Sequence, residues 1–144
     1  MAEAADPVTS GYDSFYAAWG RSPTLRRIWR EQVTGKDYPE EFAHISFLRL
    51  APLRELATGL NIEAGQLLVD LACGAGGPGL WVAKQSGARL VGRDLSPVAV
   101  ERATERVTGL GMEGWAEFGV GSFEQTGLSP GSADAVMTVD ALQY

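Results

Sequence analysis

The feature that most constrains the fold is a short apolar run that leads directly into a glycine-rich turn. Residues Leu67–Leu71 are almost continuously apolar, which is typical of a strand buried in a parallel sheet. The turn that follows, Ala72-Cys-Gly-Ala-Gly-Gly-Pro-Gly79, has a backbone that a ligand can approach closely. This pair of features predicts a strand, a ligand-binding turn and then a helix.

The rest of the second half alternates between the two patterns. Apolar and β-branched runs predict strands at 88–92, 115–120 and 134–139. Helices are predicted at 78–85 and 96–107, and Ser96-Pro97 supplies the cap and first position of the second. Strands that alternate with helices indicate an α/β fold with a parallel sheet and right-handed crossovers. We therefore predict an α/β unit over residues 61–144 with helices on both faces of the sheet.

The first 60 residues carry a helical pattern instead. Tyr12, Tyr16 and Trp19 recur three or four positions apart, and Ser22-Pro23 is a typical helix start. A further helix is predicted over 46–58, where Pro52 either kinks it or starts a new one. Residues 1–10 are small and polar, and we expect them to lie outside organised structure.

Composition excludes several classes of function. The net charge of -6 argues against a nucleic-acid partner, and one cysteine with one histidine excludes a disulfide and the usual zinc sites, so no metal is predicted. The N-terminus has the form of neither a signal peptide nor a membrane anchor, so we expect a cytoplasmic protein. The arginines at 21, 26, 27 and 30 are interpreted as a solvated helix face.

Two acidic residues stand where strands of this sheet end. Asp94 lies 20 residues after Gly74, where a carboxylate can accept the ribose hydroxyls of either NAD or S-adenosylmethionine. Asp70 lies at the end of the first strand, and an unpaired buried carboxylate costs several kcal/mol. We expect a cationic partner, such as the ammonium of a methionine moiety. Backbone N–H groups of its own loop are the alternative.

Three motifs in this order resemble the class I, Rossmann-like S-adenosylmethionine-dependent methyltransferases, particularly bacterial small-molecule enzymes. They are Val69-Asp-Leu-Ala-Cys-Gly-Ala-Gly76, Val91-Gly-Arg-Asp-Leu-Ser-Pro97 and Ser132-Ala-Asp-Ala-Val-Met-Thr-Val-Asp-Ala-Leu142. The resemblance implies a Rossmann-like sheet of seven strands, of which this sequence contains four. It also implies that residues 1–60 form a helical lid or cap, with Tyr12, Tyr16 or Phe47 in it.

The resemblance assigns the cofactor S-adenosylmethionine to a set of residues. Asp70 and the backbone of the turn would hold the methionine end, Asp94 the ribose, and Leu95 one face of the adenine. The remaining positions are Ala72, Cys73, Gly74 and Gly76 in the turn, and Ser122 and Phe123 on the other side of the adenine. The family usually has glycine where Ala72 stands, which fits if the φ angle of Ala72 is negative. Cys73 is also interpreted as a small packing residue.

Two residues are candidates for a catalytic base. Asp140 follows the fourth strand at the ligand-facing end of the sheet, although a cap for the next helix explains it equally well. His44 is the only imidazole. The methyl acceptor is expected to be a small molecule that the sequence does not specify.

Three functional interpretations stay open. The first is a small-molecule methyltransferase, the second an NAD-dependent oxidoreductase, and the third a non-catalytic module that binds S-adenosylmethionine or dimerises. Because the fourth strand would have an unpaired apolar edge, we expect the N-terminal portion of a longer enzyme, or a half-domain completed by another chain or a second copy.

Overall fold

The computed structural model describes residues 6–142, which form five α-helices and one sheet of four strands. The helices are α1 (Pro7–Arg21), α2 (Pro23–Trp29), α3 (Leu50–Leu60), α4 (Gly77–Ser86) and α5 (Pro97–Gly109). A π turn, Arg30–Thr34, continues α2, and a 3-10 turn covers Glu40–Phe42. The strands are β1 (Leu67–Leu71), β2 (Arg89–Asp94), β3 (Ala116–Val120) and β4 (Ala135–Thr138).

The sheet is parallel throughout, in the order β3-β2-β1-β4. Asp70 of β1 pairs in register with Gly92 of β2 and with Met137 of β4. The chain moves outward from β1 to β3 and then crosses over to β4 on the other side of β1. Such a reversal of strand order opens a crevice at the carboxyl ends of the strands. The predicted fold class is confirmed.

Helix starts follow from capping side chains. The hydroxyls of Ser22 and Ser96 accept hydrogen bonds from the backbone N–H groups of Leu25 (3.2 Å) and Ala99 (3.1 Å). Each serine precedes a proline at the first helical position, whose missing N–H costs the helix nothing there. Both predicted Ser-Pro starts are confirmed.

Two predicted boundaries are wrong. Residues 7–10 belong to α1, because the Asp6 carboxylate caps the helix by accepting from the backbone N–H of Thr9 at 3.3 Å. The helix expected from residue 46 begins at Leu50, and Pro52 lies in its first turn, where it neither kinks nor starts a helix.

One hydrophobic core joins α3, α4 and α5 to a single face of the sheet. Leu68 and Leu90 from neighbouring strands pack there with Leu53 of α3 and Leu80 of α4. The opposite face carries Val136, which is 54% exposed. In residues 6–142 the prediction of helices on both faces is therefore met on one face only, because two right-handed crossovers in the same direction place α4 and α5 together. No helix in this described part is long and apolar enough to span a membrane.

Candidate cofactor site

A cavity of about 360 Å³ opens where β1, β2 and β4 end, and we call it the sheet-end cavity. Its volume lies within the range of small-molecule sites. The structure brings together every predicted site residue except Gly76. The predicted residues that line it are Asp70, Ala72, Cys73, Gly74, Asp94, Leu95, Ser122, Phe123, Asp140 and His44.

Asp70 is buried at the base of this cavity, with 2% of its surface exposed. Among residues 6–142 no side chain or backbone N–H donates a hydrogen bond to its carboxylate, and no cation pairs with it. Burial, together with the charge of Asp94, raises the pKa of Asp70 to about 8. A buried carboxyl group without a protein partner is stabilised in its ionised form when the ammonium of a ligand pairs with it.

The glycine-rich turn holds its backbone in left-handed conformations. The φ angle of Ala72 is 54°, so the condition under which alanine was expected to fit this position, a negative φ, is not met. Ala72 has the left-handed φ that glycine adopts without strain, and alanine adopts it at a cost of about 1–2 kcal/mol. Gly76, with a φ of 79°, faces away from the cavity, since a Cβ there would meet Phe118 at 2.8 Å and Ala103 at 3.2 Å.

Asp94 joins β2 to this turn and to the start of α5. Its Oδ2 accepts from the backbone N–H of Gly74 at 2.8 Å, and its Oδ1 accepts from that of Ser96 at 2.9 Å. Burial raises the pKa of Asp94, and these two backbone hydrogen bonds oppose the shift. Each carboxylate oxygen can accept more than one hydrogen bond, so the group retains capacity for two ligand hydroxyls.

The far end of the cavity is more exposed. Leu95 and Phe123 are 49% and 45% exposed, so their apolar surfaces have few protein contacts. The hydroxyl of Ser122 accepts from the backbone N–H of Gln125 at 3.0 Å. An exposed pair of apolar side chains beside a hydroxyl is suited to the faces and edge of a planar heterocycle.

The N-terminal segment covers the cavity. Tyr12, Tyr16 and Phe47, the predicted lid residues, all line it. A Cβ placed on Gly74 would meet the hydroxyl of Tyr16, so α1 lies directly over the glycine-rich turn. Burial raises the pKa of Tyr16 far above its ordinary value, and its hydroxyl keeps its proton.

A hydrogen bond that the sequence does not predict fixes α1 in this position. The hydroxyl of Ser96 donates a short hydrogen bond to the Asp13 carboxylate, which joins α1 to the start of α5. Ser96 was recognised only as a helix cap. Its second partner lies 83 residues earlier, and no local pattern connects the two positions.

His44 is buried between this cavity and the N-terminal segment. Its Nδ1 accepts from the backbone N–H of Ser46 at 3.1 Å, so the hydrogen sits on Nε2. Burial lowers the pKa of His44 to about 4, with Arg106 acting in the same direction and the backbone of Leu48 opposing it. The ring is neutral near pH 7 and has no free lone pair, which argues against a role as base.

Asp140 lies just after β4 and faces the cavity. Its Oδ2 accepts from the backbone N–H of Phe47 at 2.8 Å. A helix that Asp140 would cap lies outside the described residues, so its alternative role as a helix cap stays a prediction. Cys73 is a buried free thiol whose pKa burial raises far above its ordinary value, which agrees with a packing role.

Comparison with known proteins identifies relatives of this chain. Residues 68–144 match the family described as methyltransferase domain. Sterol 24-C-methyltransferase ERG6A of Gibberella zeae is 35% identical over 86 residues, which cover 60% of this chain and 23% of the relative. The 27-O-demethylrifamycin SV methyltransferase of Amycolatopsis mediterranei is 24% identical over 95% of this chain and 48% of its own length. The chain therefore spans between about a quarter and half of these relatives.

Solved structures show the same fold. A geranyl diphosphate methyltransferase in complex with its diphosphate and sinefungin has a TM-score of 0.69 at 18% identity, over 93% of this chain and 57% of that one. A methyltransferase of Thiobacillus denitrificans, in complex with S-adenosyl-L-homocysteine, has a TM-score of 0.54 at 27% identity, over 83% of this chain and 44% of that one. With more than half of its residues matched, this chain belongs to the methyltransferase domain family.

Proposed function

We propose that this chain binds S-adenosylmethionine in the sheet-end cavity, as the cofactor-binding portion of a methyltransferase for small molecules. The observation that carries the proposal is the buried, unpartnered carboxylate of Asp70 beside a glycine-rich turn. S-adenosylmethionine has an ammonium group, two ribose hydroxyls and an adenine ring. Each of these groups finds a complementary surface in the cavity.

The residues fit this cofactor better than they fit NAD. Asp70 offers a negative charge to the ammonium, and Asp94 offers acceptors to the ribose hydroxyls. A pyrophosphate at the same turn would bring further negative charge, which keeps Asp70 protonated and neutral, whereas an ammonium stabilises its ionised form. The NAD-dependent oxidoreductase and the non-catalytic module gain no support from the family match.

When bound, S-adenosylmethionine supplies an activated methyl group, and the protein supplies position and surroundings. Tyr12, Tyr16 and Phe47 line the cavity on the side of the N-terminal segment, where they would reduce the access of water to the bound cofactor. Asp140 faces the same space, and its carboxylate would take a proton from an acceptor hydroxyl or amine.

The acceptor is proposed to be a small, largely apolar molecule. Aromatic side chains of α1 and of the 43–47 segment dominate the cap side of the cavity. The relatives named above include a sterol methyltransferase and a rifamycin methyltransferase, which supports a small-molecule acceptor. We further propose that residues 1–60 act as the cap and 61–144 as the cofactor-binding unit. Cytoplasmic location stays a prediction.

The edge of β4 is the proposed contact with further structure. Within residues 6–142 this strand pairs with β1 alone, and Val136 is exposed on it. Additional strands of a longer chain or a second copy would cover such an edge.

A pair of aspartate variants tests the cofactor proposal. Asp70→Asn removes the charge that meets the ammonium, so the affinity for S-adenosylhomocysteine should fall by about tenfold or more. Asp134→Asn is the matched control, because Asp134 lies at the opposite end of the same strand pair, where it accepts from the backbone N–H of Leu67 at 2.7 Å. Equal affinities of the two variants for S-adenosylhomocysteine, measured by calorimetry, would remove the basis of the proposal.

A further inference from the structure

A second cavity, of about 460 Å³, adjoins the sheet-end cavity, and we call it the arginine cavity. Trp19, Ala43 and His44 line both cavities, so the two are neighbours. The remaining lining includes four arginines, Arg26, Arg27, Arg30 and Arg106, and a single acid, Glu40. In a chain with a net charge of -6, this cavity is a local concentration of positive charge.

Two of these arginines are already engaged by the protein. Nη1 of Arg26 donates to the backbone carbonyls of Trp19 (2.8 Å) and Gly20 (3.0 Å). Arg30 pairs with Glu40 at 2.8 Å. Arg26 and Arg30 therefore add positive charge to the lining of the cavity, but their guanidinium groups already have protein partners.

The other two have no counter-ion in the described part of the chain. The side chain of Arg27 is exposed and makes neither a hydrogen bond nor an ion pair with residues 6–142. Arg106 donates one hydrogen bond, from Nη1 to the backbone carbonyl of Ala43 at 2.9 Å, and meets no carboxylate there. Burial lowers the pKa of Arg106, which is the expected result for a desolvated cation without a counter-ion.

Two buried donors in the same wall also lack partners. Tyr38 is 2% exposed and His44 is 8% exposed, and their rings meet edge to face at 4.6 Å. Neither the Tyr38 hydroxyl nor His44 Nε2 has a hydrogen-bond partner among the described residues. Both hold a hydrogen near pH 7, because burial raises the pKa of Tyr38 and the Nδ1 contact fixes the tautomer of His44. Native proteins rarely leave such groups unsatisfied.

We propose that the arginine cavity is an oxyanion-binding site, which takes a phosphate or carboxylate group of a small molecule. Arg27 and Arg106 carry positive charge and offer only donors, and the Tyr38 hydroxyl and His44 Nε2 each hold a hydrogen to donate. The complementary ligand is therefore an acceptor with negative charge. The π turn Arg30–Thr34 contributes two residues to the wall, and turns of this type frequently occur at functional sites.

The oxyanion has two possible sources. It is either the charged end of a methyl acceptor that extends across the shared wall, or a separate small anion. The site goes beyond the proposed function and does not rest on it, since an anion can bind without the cofactor.

The test uses inorganic phosphate and phenyl phosphate as probes, titrated into the 144-residue chain at constant ionic strength. Tyr38→Phe removes only the unpartnered hydroxyl, and Arg27→Gln removes only an exposed charge. Arg21→Gln is the matched control, because Arg21 belongs to the same basic run but does not line the cavity. Circular dichroism of each variant checks that its fold is retained.

We expect saturable binding of phosphate with a Kd of about 1 mM or below. Tyr38→Phe should weaken it by about tenfold and Arg27→Gln by about threefold to fivefold, with Arg21→Gln unchanged. Tighter binding of phenyl phosphate would assign the oxyanion to a larger molecule, and equal or weaker binding would assign it to a free anion. The proposal is overturned if phosphate does not saturate, or if Arg21→Gln weakens binding as much as Arg27→Gln.

Discussion

The backbone N–H of Phe47 donates a hydrogen bond of 2.8 Å to Oδ2 of Asp140, which lies 93 residues further along the chain. Phe47 belongs to the N-terminal segment and Asp140 to the end of β4, and both line the sheet-end cavity. The bond therefore joins the N-terminal segment to the end of the sheet beside the cavity. Asp140 also has a φ of 52°, a backbone conformation that aspartate and asparagine tolerate better than alanine.

Substitutions at position 140 test what the hydrogen bond to Phe47 and the positive φ of Asp140 contribute to stability. Asp140→Asn keeps an acceptor oxygen and tolerates the positive φ, so the free energy of unfolding should change by less than about 0.5 kcal/mol. Asp140→Ala loses the hydrogen bond and adds backbone strain, and it should cost about 1–2 kcal/mol. Urea denaturation measures both. Equal stability of the two variants would show that the Phe47 contact does not hold the cap.

The raised pKa of Asp70 predicts a pH-dependent stability of the free chain. Its pKa is 3.8 unperturbed and about 8 in the folded state, so the unfolded chain loses this proton at a lower pH than the folded chain does. Stability should therefore fall as pH rises from about 4 to about 8. Asp70→Asn removes this contribution, and its melting temperature should exceed that of the unsubstituted chain most at about pH 8. A parallel pH dependence in both proteins would contradict the assignment.

The same group predicts proton release on binding of S-adenosylhomocysteine. A ligand ammonium favours the ionised carboxylate, so Asp70 should release its proton near pH 7 and the affinity should rise with pH up to about 8. Calorimetry in two buffers with different ionisation enthalpies counts the protons released. Asp70→Asn should abolish the release. Proton uptake, or an affinity that does not depend on pH, would be inconsistent with an ammonium partner.

The strained backbone of Ala72 predicts that glycine stabilises this position. Ala72→Gly removes left-handed strain of about 1–2 kcal/mol and costs about 0.5–1 kcal/mol of chain entropy, so the free energy of unfolding should rise by up to about 1.5 kcal/mol. Ala75→Gly is the matched control in the same turn, and it should be destabilising because Ala75 has no positive φ. Thermal unfolding compares the two. A loss of stability in Ala72→Gly would contradict the backbone conformation.

The contact between α1 and the glycine-rich turn predicts a coupling between Gly74 and Tyr16. Gly74→Ala places a methyl group against the Tyr16 hydroxyl at a φ of 53°, so it should destabilise the chain. Tyr16→Phe removes the hydroxyl and should recover part of that loss, while the φ strain remains. A double-mutant cycle by denaturation should give a coupling of about 0.5 kcal/mol or more. Additive effects would place Tyr16 away from the turn.

Much of the α/β half could be predicted because its determinants are local. The run Leu67–Leu71 matches β1 residue for residue, and the pairs Ser22-Pro23 and Ser96-Pro97 each mark a helix start. Asp70 and Asp94 were identified from their positions at strand ends, and both line the cavity. Parallel strands bring their carboxyl ends to one edge, so a residue's place in its strand is sufficient to locate it.

The rest depended on contacts between distant parts of the chain. The φ of Ala72 follows from the course of the whole turn, and the residue type alone favoured a negative angle. The hydrogen bond of Ser96 to Asp13 joins segments that no spacing connects. The basic run at 21–30 was interpreted as a solvated helix face. The cavity that three of its arginines line is completed by Arg106 on α5, and no local pattern connects Arg106 to that run.

The most direct test of the account is calorimetric titration of the chain with S-adenosylhomocysteine and, in parallel, with NAD. The ammonium of the first stabilises the ionised form of Asp70, whereas the pyrophosphate of the second brings negative charge that disfavours it. We predict saturable binding of S-adenosylhomocysteine with one site per chain and no measurable binding of NAD. Binding of NAD without binding of S-adenosylhomocysteine would contradict the assignment of the sheet-end cavity.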